Sequence, residues 1–351
     1  MKKRISIRDL AAQLDVSVTT ISFILNGRAE EKRISAQLVE RVLKHVKEVG
    51  YRPNSLARSL RTGKSHIICL MVEDIANPFF ANIARLIEER AYKSGYKIMY
   101  CSTDNSLVKT REMIHMFRER HVDGFIIAPP EGVDEEINAL INDGRPVILF
   151  DRTLPQVSTD HVMIDNAAST YLAVKHLVAE GFKNIAFITL DSLQSQMQGR
   201  LEGYERALRE HNLNFHIKEV AFTLDEENTI RHIAAFLQRK KEVDAILFGT
   251  NYLAIRGLKA INQLKGQIAP KLGIVAFDDH DLFELNSPSI TAIAQPIEEM
   301  ADKVITLLLN KLNSLNKKKP NQSVLMNTKL VIRESSKGAG PELTVVSRAS
   351  S

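Results

Sequence analysis

The chain has 351 residues, 44% of them hydrophobic and 25% charged, and carries a formal net charge of +5. That length supports two or three domains with sizeable cores, and 16 glycines with 11 prolines are too few for a fibrous or low-complexity chain. Two cysteines, Cys69 and Cys101, exclude a disulfide framework, and neither stands in a C-x-x-C pair that would suggest a structural zinc or dithiol site.

In chain order, Met1-Lys2-Lys3-Arg4 is followed by charged residues rather than by the apolar run of a signal peptide. No later stretch approaches the roughly 18 apolar residues of a membrane span. A cytoplasmic location without membrane association is therefore expected. Charge is unevenly spread: residues 1–64 hold 14 Lys/Arg against 6 acids, a net +8, and the remaining 287 residues carry −3. A basic head on a mildly acidic body outlines a nucleic-acid-binding module attached to something else.

Within the head, Ser6-Ile7-Arg8-Asp9 fits a capping box and starts a helix on which Ile7, Leu10, Ala11 and Leu14 share a face. Ser17 caps a second helix, with Ile21, Ile24 and Leu25 inward and Val18, Thr19, Ser22 and Phe23 outward, ended by Asn26-Gly27. Ser35 caps a third, with an apolar face from Leu38 to Val49. Two short helices across a tight turn, backed by a third, make a helix-turn-helix, although periodicity alone also allows a plain three-helix bundle. A helix about 10–12 Å wide fits a B-DNA major groove of about 12 Å, and small side chains at Ser17, Val18, Thr19 and Ser22 permit close approach. The run from Tyr51 to Gly63 reads as a helix of barely two turns between Pro53 and Gly63, too short to stand alone and expected to order against a partner.

These residues closely resemble the LacI family of bacterial transcription regulators. The likeness is carried by Ile7-Arg8-Asp9-Leu10-Ala11, Val16 to Ser22, Leu25-Asn26-Gly27 and Gly50 to Gly63, and it continues to about residue 334. It implies that Val18, Thr19 and Phe23 read bases, that Ser17, Ser22, Asn26 and Ser35 position the backbone, that Asn54, Ser55 and Ala57 lie on a hinge helix, and that Leu60 wedges into the minor groove. Phe23 stands where the family usually has arginine, so the ring either meets a thymine methyl or packs inward. The loop Arg28-Ala29-Glu30-Glu31-Lys32-Arg33 is longer than usual.

From Ile67 onward, β-rich runs alternate with amphipathic helices. Strands are expected at 67–72, 96–101, 124–128 and 146–150, with helices at 80–94, 109–120 and 135–142 between them. A second series follows: helix 168–179, strand 185–189, helix 200–211, strand 218–221, helix 227–239, strand 245–248, helix 252–264 and strand 273–277. Two sets of βαβ units imply two doubly wound parallel-sheet lobes, a periplasmic-binding-protein-like α/β body behind an all-α head. The expected division is 1–50 for the head, 51–66 for hinge and linker, and 67–334 for the core. Lobe 1 takes about 67–165 plus 296–322, lobe 2 about 166–295 plus 323–334, and 335–351 forms a loose tail.

Ligands in such sheets bind beyond the carboxyl ends of strands, which selects Phe79, Asp151, Thr250 and Asp278. The Arg200-Leu201-Glu202-Gly203-Tyr204 run matches the family's R-x-x-G-Y signature and implies that Arg200 faces the cleft, with Gln295 completing the set. Thr250-Asn251 departs from the family's usual Asn-Asp. Carboxylates accept from hydroxyls and an arginine fork donates, so Asp151, Arg200 and Asp278 suit the vicinal diols of a carbohydrate. Each has a plainer alternative: Asp151 with Arg152 as a surface pair, Asp278 as a helix cap, Phe79 as core. No Walker loop, G-x-G-x-x-G, H-E-x-x-H or G-x-S-x-G occurs. The expectation is a non-enzymatic, cofactor-free homodimeric repressor of double-stranded operator DNA, controlled by a small-molecule effector. The alternatives are an exported solute-binding protein and a sugar-modifying enzyme.

Overall fold

The computed structural model describes residues 5–51, 63–223, 225–264, 272–313 and 320–338, which fall into a unit ending at Ser65 and a unit beginning at His66. The hinge residues Asn54, Ser55, Ala57 and Leu60 lie outside the described residues, as does everything from residue 339.

The first unit holds α1 (Ile7–Leu14), α2 (Val18–Leu25) and α3 (Ala36–Glu48). Their starts follow from local chemistry: Ser6 and Asp9 form the reciprocal capping box, while the Ser17 and Ser35 hydroxyls accept from the Thr20 and Leu38 amides. Leu10, Ala11, Ile21, Ile24 and Val42 are buried together and hold the three helices.

The second unit has two six-stranded sheets. Lobe 1 runs β1 (Ile67–Val72), α4 (Pro78–Lys93), β2 (Lys97–Ser102), α5 (Leu107–Glu119), β3 (Gly124–Ile127), α6 (Asp134–Asn142), β4 (Val147–Phe150) and β5 (Asp160–Ile164). Lobe 2 runs α7 (Asn166–Ala179), β6 (Ile185–Asp191), α8 (Ser195–Glu210), β7 (His216–Ala221), α9 (Glu226–Arg239), β8 (Ala245–Phe248), α10 (Asn251–Gln263), β9 (Gly273–Phe277), α11 (Asp281–Leu285) and β10 (Thr291–Ala294). The chain then returns through α12 (Ile297–Asn313) and β11 (Ser323–Met326) to lobe 1, and crosses again to β12 (Lys329–Val331). The orders are β11-β5-β4-β3-β1-β2 and β12-β10-β9-β8-β6-β7, parallel throughout except for β12 against β10.

Each sheet is covered on both faces, so its central strands are continuously apolar, and alternate residues serve opposite cores. In β6, Ile185 and Phe187 pack with Tyr204 and Leu208, while Ala186 and Ile188 pack with Ile233, Phe236 and Leu253. Three expectations need correction. Residues 323–326 belong to lobe 1, since Val324 pairs with Val162 and Met326 with Ile164; α12 ends on that side, and the nearest free edge is β5. Strands β5 and β10 are additional, and α8 begins five residues earlier than expected, at Ser195. Finally, residues 335–338 are docked rather than loose: Ser335 accepts from the Thr291 amide and donates to Ile274 O, and the Gly338 amide donates to Glu180.

Candidate functional site

In the head, Val18 and Thr19 are exposed on α2 and Asn26 at its C-cap, with Ser22 and Phe23 half-buried beside them. The Ser17 hydroxyl is held by its cap and by Thr20 Oγ1 at 2.8 Å, and Asn26 Nδ2 donates to Ser22 O at 2.6 Å. This locks the two ends of the outward stripe. Phe23 is not part of the head's apolar cluster; its ring lies beneath Arg28 and Lys32, with Arg28 Cζ at 5.7 Å and Lys32 Nζ at 5.4 Å from the centroid. The inward-packing alternative for Phe23 is therefore overturned, because the elongated loop supplies the ring with a cationic cover instead.

In the body, strand order reverses between β1 and β3 and again between β6 and β8, so a crevice opens beyond the carboxyl ends of both sheets. A cavity of about 30 Å³ between the lobes is lined by Phe79, Asp151, Arg200, Thr250 and Asp278. Five sequence-selected residues thus converge. Gln295 is one step removed: its Nε2 donates to Asp278 Oδ1 at 2.6 Å, and it does not line the cavity. Asp278 does not cap α11, where His280 accepts from the Leu282 amide. Thr250 Oγ1 caps α10 by accepting from the Leu253 amide, and its hydroxyl also meets Tyr252.

Asp151 and Asp278 occupy corresponding places, each directly after a strand and each in left-handed backbone, with φ of 67° and 65°. Their amides donate to Val162 O and Ile293 O on neighbouring strands, at 3.1 and 3.0 Å. A non-glycine residue with positive φ is uncommon, and matched cases at two strand ends mark a site that re-aims side chains. Arg200, on α8, donates to Asn166 Oδ1 at 2.8 Å and to Gly249 O at 2.6 Å, and its guanidinium lies 3.5 Å from the Phe277 ring centroid. Burial lowers its pKa, against the opposing pull of Asp278 and Asp151. Burial raises that of Asp278, opposed by Arg200 and the Gln295 amide.

Arg152 is not one half of a surface pair. It is 3% exposed, and its fork reaches Asp151 at 2.9 Å, Glu73 at 3.1 Å and Asn105 at 3.0 Å. Burial opposes its charge, but Asp151 and Glu73 outweigh that and its pKa is raised. Glu73, Gln196, Met197 and Tyr252, which sequence reasoning missed, also line the cavity, as do Asn77 and Phe80 beside Phe79 and Arg152 beside Asp151. A usable signal existed for Glu73, a charge directly after the apolar strand β1, and for Arg152, a charge two positions past the end of β4. Gln196 and Tyr252 carry none, because their helical register depends on where α8 and α10 start. Gln196 is 3% exposed, and its Oε1 accepts no hydrogen bond among the described residues.

The lobes are joined across the crevice by paired amides and hydroxyls. Asn251 Nδ2 donates to Asn77 Oδ1 at 2.9 Å, Gln194 Nε2 to Asn105 Oδ1 at 3.2 Å, and the Thr153 amide to Ser195 Oγ at 3.1 Å. Among the described residues, no group of three His, Cys, Asp or Glu could hold a metal ion, and no helix is long and apolar enough to cross a membrane.

A helix-turn-helix covalently followed by two doubly wound lobes defines a class: DNA-binding regulators with a small-molecule-binding body. A profile of the "Bacterial regulatory proteins, lacI family" matches residues 6–54, and one of the "Periplasmic binding protein-like domain" matches residues 174–336. The ribose operon repressor of Halalkalibacterium halodurans is 31% identical over 338 residues, covering 95% of this chain and 97% of that one. The chain belongs to the LacI family and is a DNA-binding transcriptional regulator. A LacI family transcriptional regulator from Enterococcus faecium solved with bound ribose is 27% identical, covers 77% of this chain and 98% of its own, and superposes with a TM-score of 0.68. In fold alone, the lac repressor dimer bound to operator and the anti-inducer ONPF is similar at a TM-score of 0.80, with 21% identity over 95% of this chain and 99% of that one. The relatives are regulators rather than enzymes, and they do not favour an exported solute-binding protein.

Proposed function

We propose that the chain is a cytoplasmic, homodimeric repressor whose hold on operator DNA is set by a sugar bound between the lobes. The ribose named for two similar proteins makes ribose the first candidate. The observation that carries this reading is the convergence of Asp151, Arg152, Arg200, Thr250 and Asp278 on one cavity beside the Phe79 ring. Carboxylates accept from sugar hydroxyls, the two guanidinium groups donate to ring and hydroxyl oxygens, and a phenyl face covers the apolar side of the ring. Gln295 orients Asp278, and Gln196 Oε1 offers one further acceptor. Phosphate-directed contacts fall to Ser17, Ser22, Asn26 and Ser35, base contacts to Val18 and Thr19. Asn54, Ser55, Ala57 and the Leu60 wedge keep their proposed hinge roles.

A cavity of about 30 Å³ has room for a water or two, so a pentose enters only when the lobes part. Sugar binding therefore exchanges the interlobe bonds of Asn77, Asn105 and Thr153 for contacts of its own. It shifts the operator equilibrium only through its differential affinity for the two arrangements. Moving a population from 1:99 to 99:1 takes about 5.5 kcal/mol of such difference. The test is a thermal melt of the full chain with D-ribose, alongside sugars of other size and stereochemistry. A melting temperature raised by ribose supports the reading, and one unmoved by every sugar contradicts it.

A further inference from the structure

Helix α2 carries no charge at all: Val18 to Leu25 reads Val-Thr-Thr-Ile-Ser-Phe-Ile-Leu. The cations at the end of its outward stripe come from the loop that follows, and that loop is firmly folded. The Arg28 amide donates to Phe23 O at 2.9 Å, the Lys32 amide to Arg28 O at 3.1 Å, and the Ile34 amide to Ala29 O at 2.9 Å. Arg28 and Lys32 lie over the Phe23 ring, so the aromatic face restrains both side chains. The Arg28 fork is already occupied: Nε donates to Glu31 Oε2 at 2.7 Å and Nη2 to Glu31 Oε1 at 2.6 Å, with Lys32 Nζ 3.0 Å from the same carboxylate. All three are solvent-accessible, with side chains 48%, 52% and 38% exposed for Arg28, Glu31 and Lys32.

We infer that Arg28 is a DNA-contacting residue supplied by this loop, braced by Phe23 as a positioning residue, and that Glu31 fills its fork until a planar pair of acceptors on the duplex replaces it. The inference rests on the reading of α2 as the helix that meets DNA. A carboxylate held bidentately has the spacing of the two acceptors that the fork seeks elsewhere, namely two phosphate oxygens or the O6 and N7 of guanine. An anion at the rim of a duplex-facing surface also opposes binding by like-charge repulsion unless its partner leaves it. Glu31 thus restrains non-specific binding and yields to a correctly placed acceptor pair.

The experiment uses the full chain and the duplex it enriches from a random pool. R28A is expected to lose about 5- to 150-fold in affinity for that duplex if the contact is a guanine edge, with relaxed preference at one base position. If the contact is a phosphate, the selected sequence is unchanged and the log–log salt slope falls by about one. R28K keeps the charge and stem but loses the fork, and reads the same interaction with the loop's packing retained. E31Q is expected to tighten binding about 2- to 5-fold, on the scale of an exposed ion pair, and to do so less in the R28A background. Equal gains in both backgrounds would overturn the role of Glu31 as occupant. R28A and R28K within twofold of the parent, with unchanged sequence preference and salt slope, would overturn the contact while leaving the reading of α2 intact. A parent chain that enriches no duplex would overturn both.

Discussion

Asp151 and Asp278 show at single-residue scale how the cleft is built. Each is turned out of its strand by left-handed backbone, and burial pushes the Asp278 carboxyl upward despite Arg200 nearby. Polar groups held against such a desolvation cost are poised for a ligand whose hydroxyls share it. Arg200→Ala is expected to abolish the ribose-induced rise in melting temperature while ligand-free operator binding persists. Loss of its two hydrogen bonds should also cost about 1–3 kcal/mol of stability. A variant that responds fully to ribose would remove Arg200 from the site. A second expectation concerns pH. Burial holds His176 and His216 below the ordinary imidazole value, opposed by Glu180 and chiefly by Glu242 respectively. Below about pH 6.5 the unfolded chain therefore binds protons that the folded chain refuses. Their contribution is fully present above that pH and is lost as pH falls through it. Replacing both with glutamine should flatten the decline in melting temperature between pH 7.5 and 5.5, and an unchanged decline would contradict the assignment.

The R-x-x-G-Y run shows what a helix needs in order to deliver such a residue. Three residues within five positions do three jobs on α8: Arg200 faces the crevice, Gly203 lets α8 approach α7, and Tyr204 anchors the helix to the sheet. A Cβ at Gly203 would lie 2.2 Å from Ala167 O, while the Tyr204 hydroxyl donates to Ile185 O at 2.8 Å and accepts from the His216 amide at 2.9 Å. Gly203→Ala should destabilise the chain by about 1–3 kcal/mol in urea unfolding, because the two helices must separate; a neutral substitution would contradict the packing. Elements with strong local chemistry were legible in advance, such as the Ser6, Ser17 and Ser35 helix starts and the apolar runs of β1, β4, β8 and β9. Those dictated by partners were not. Strand β5 alternates as Asp160, Val162 and Ile164 inward, but its edge pairing with β11 comes from residues about 160 positions away. The start of α8 has no side-chain cap to announce it. The site was legible where strand-end geometry fixes it, at Asp151 and Asp278, and illegible where helical register fixes it, at Gln196 and Tyr252.

At the scale of the molecule, the head carries a net +8 and the body −3, so duplex affinity and ligand affinity are separately encoded. On the proposed function, the bonds across the crevice are what a sugar must exchange. Asn77 and Asn251 exchange amide hydrogen bonds at 2.9 and 3.4 Å, joining the N-cap of α4 to the start of α10. Asn77→Ala with Asn251→Ala should favour the parted lobes, and small-angle scattering without sugar should then record a larger radius of gyration for the variant than for the parent chain. Equal radii would show that these amides do not hold the lobes together. The claim on which everything turns is that a sugar in the crevice changes the hold of the head on DNA. It is tested most directly by titrating the full chain against its selected operator duplex, with and without saturating D-ribose, over a range of salt. Affinity should fall steeply with salt, and ribose should displace the isotherms at least about fivefold. Superimposable isotherms, or binding indifferent to salt, would contradict it.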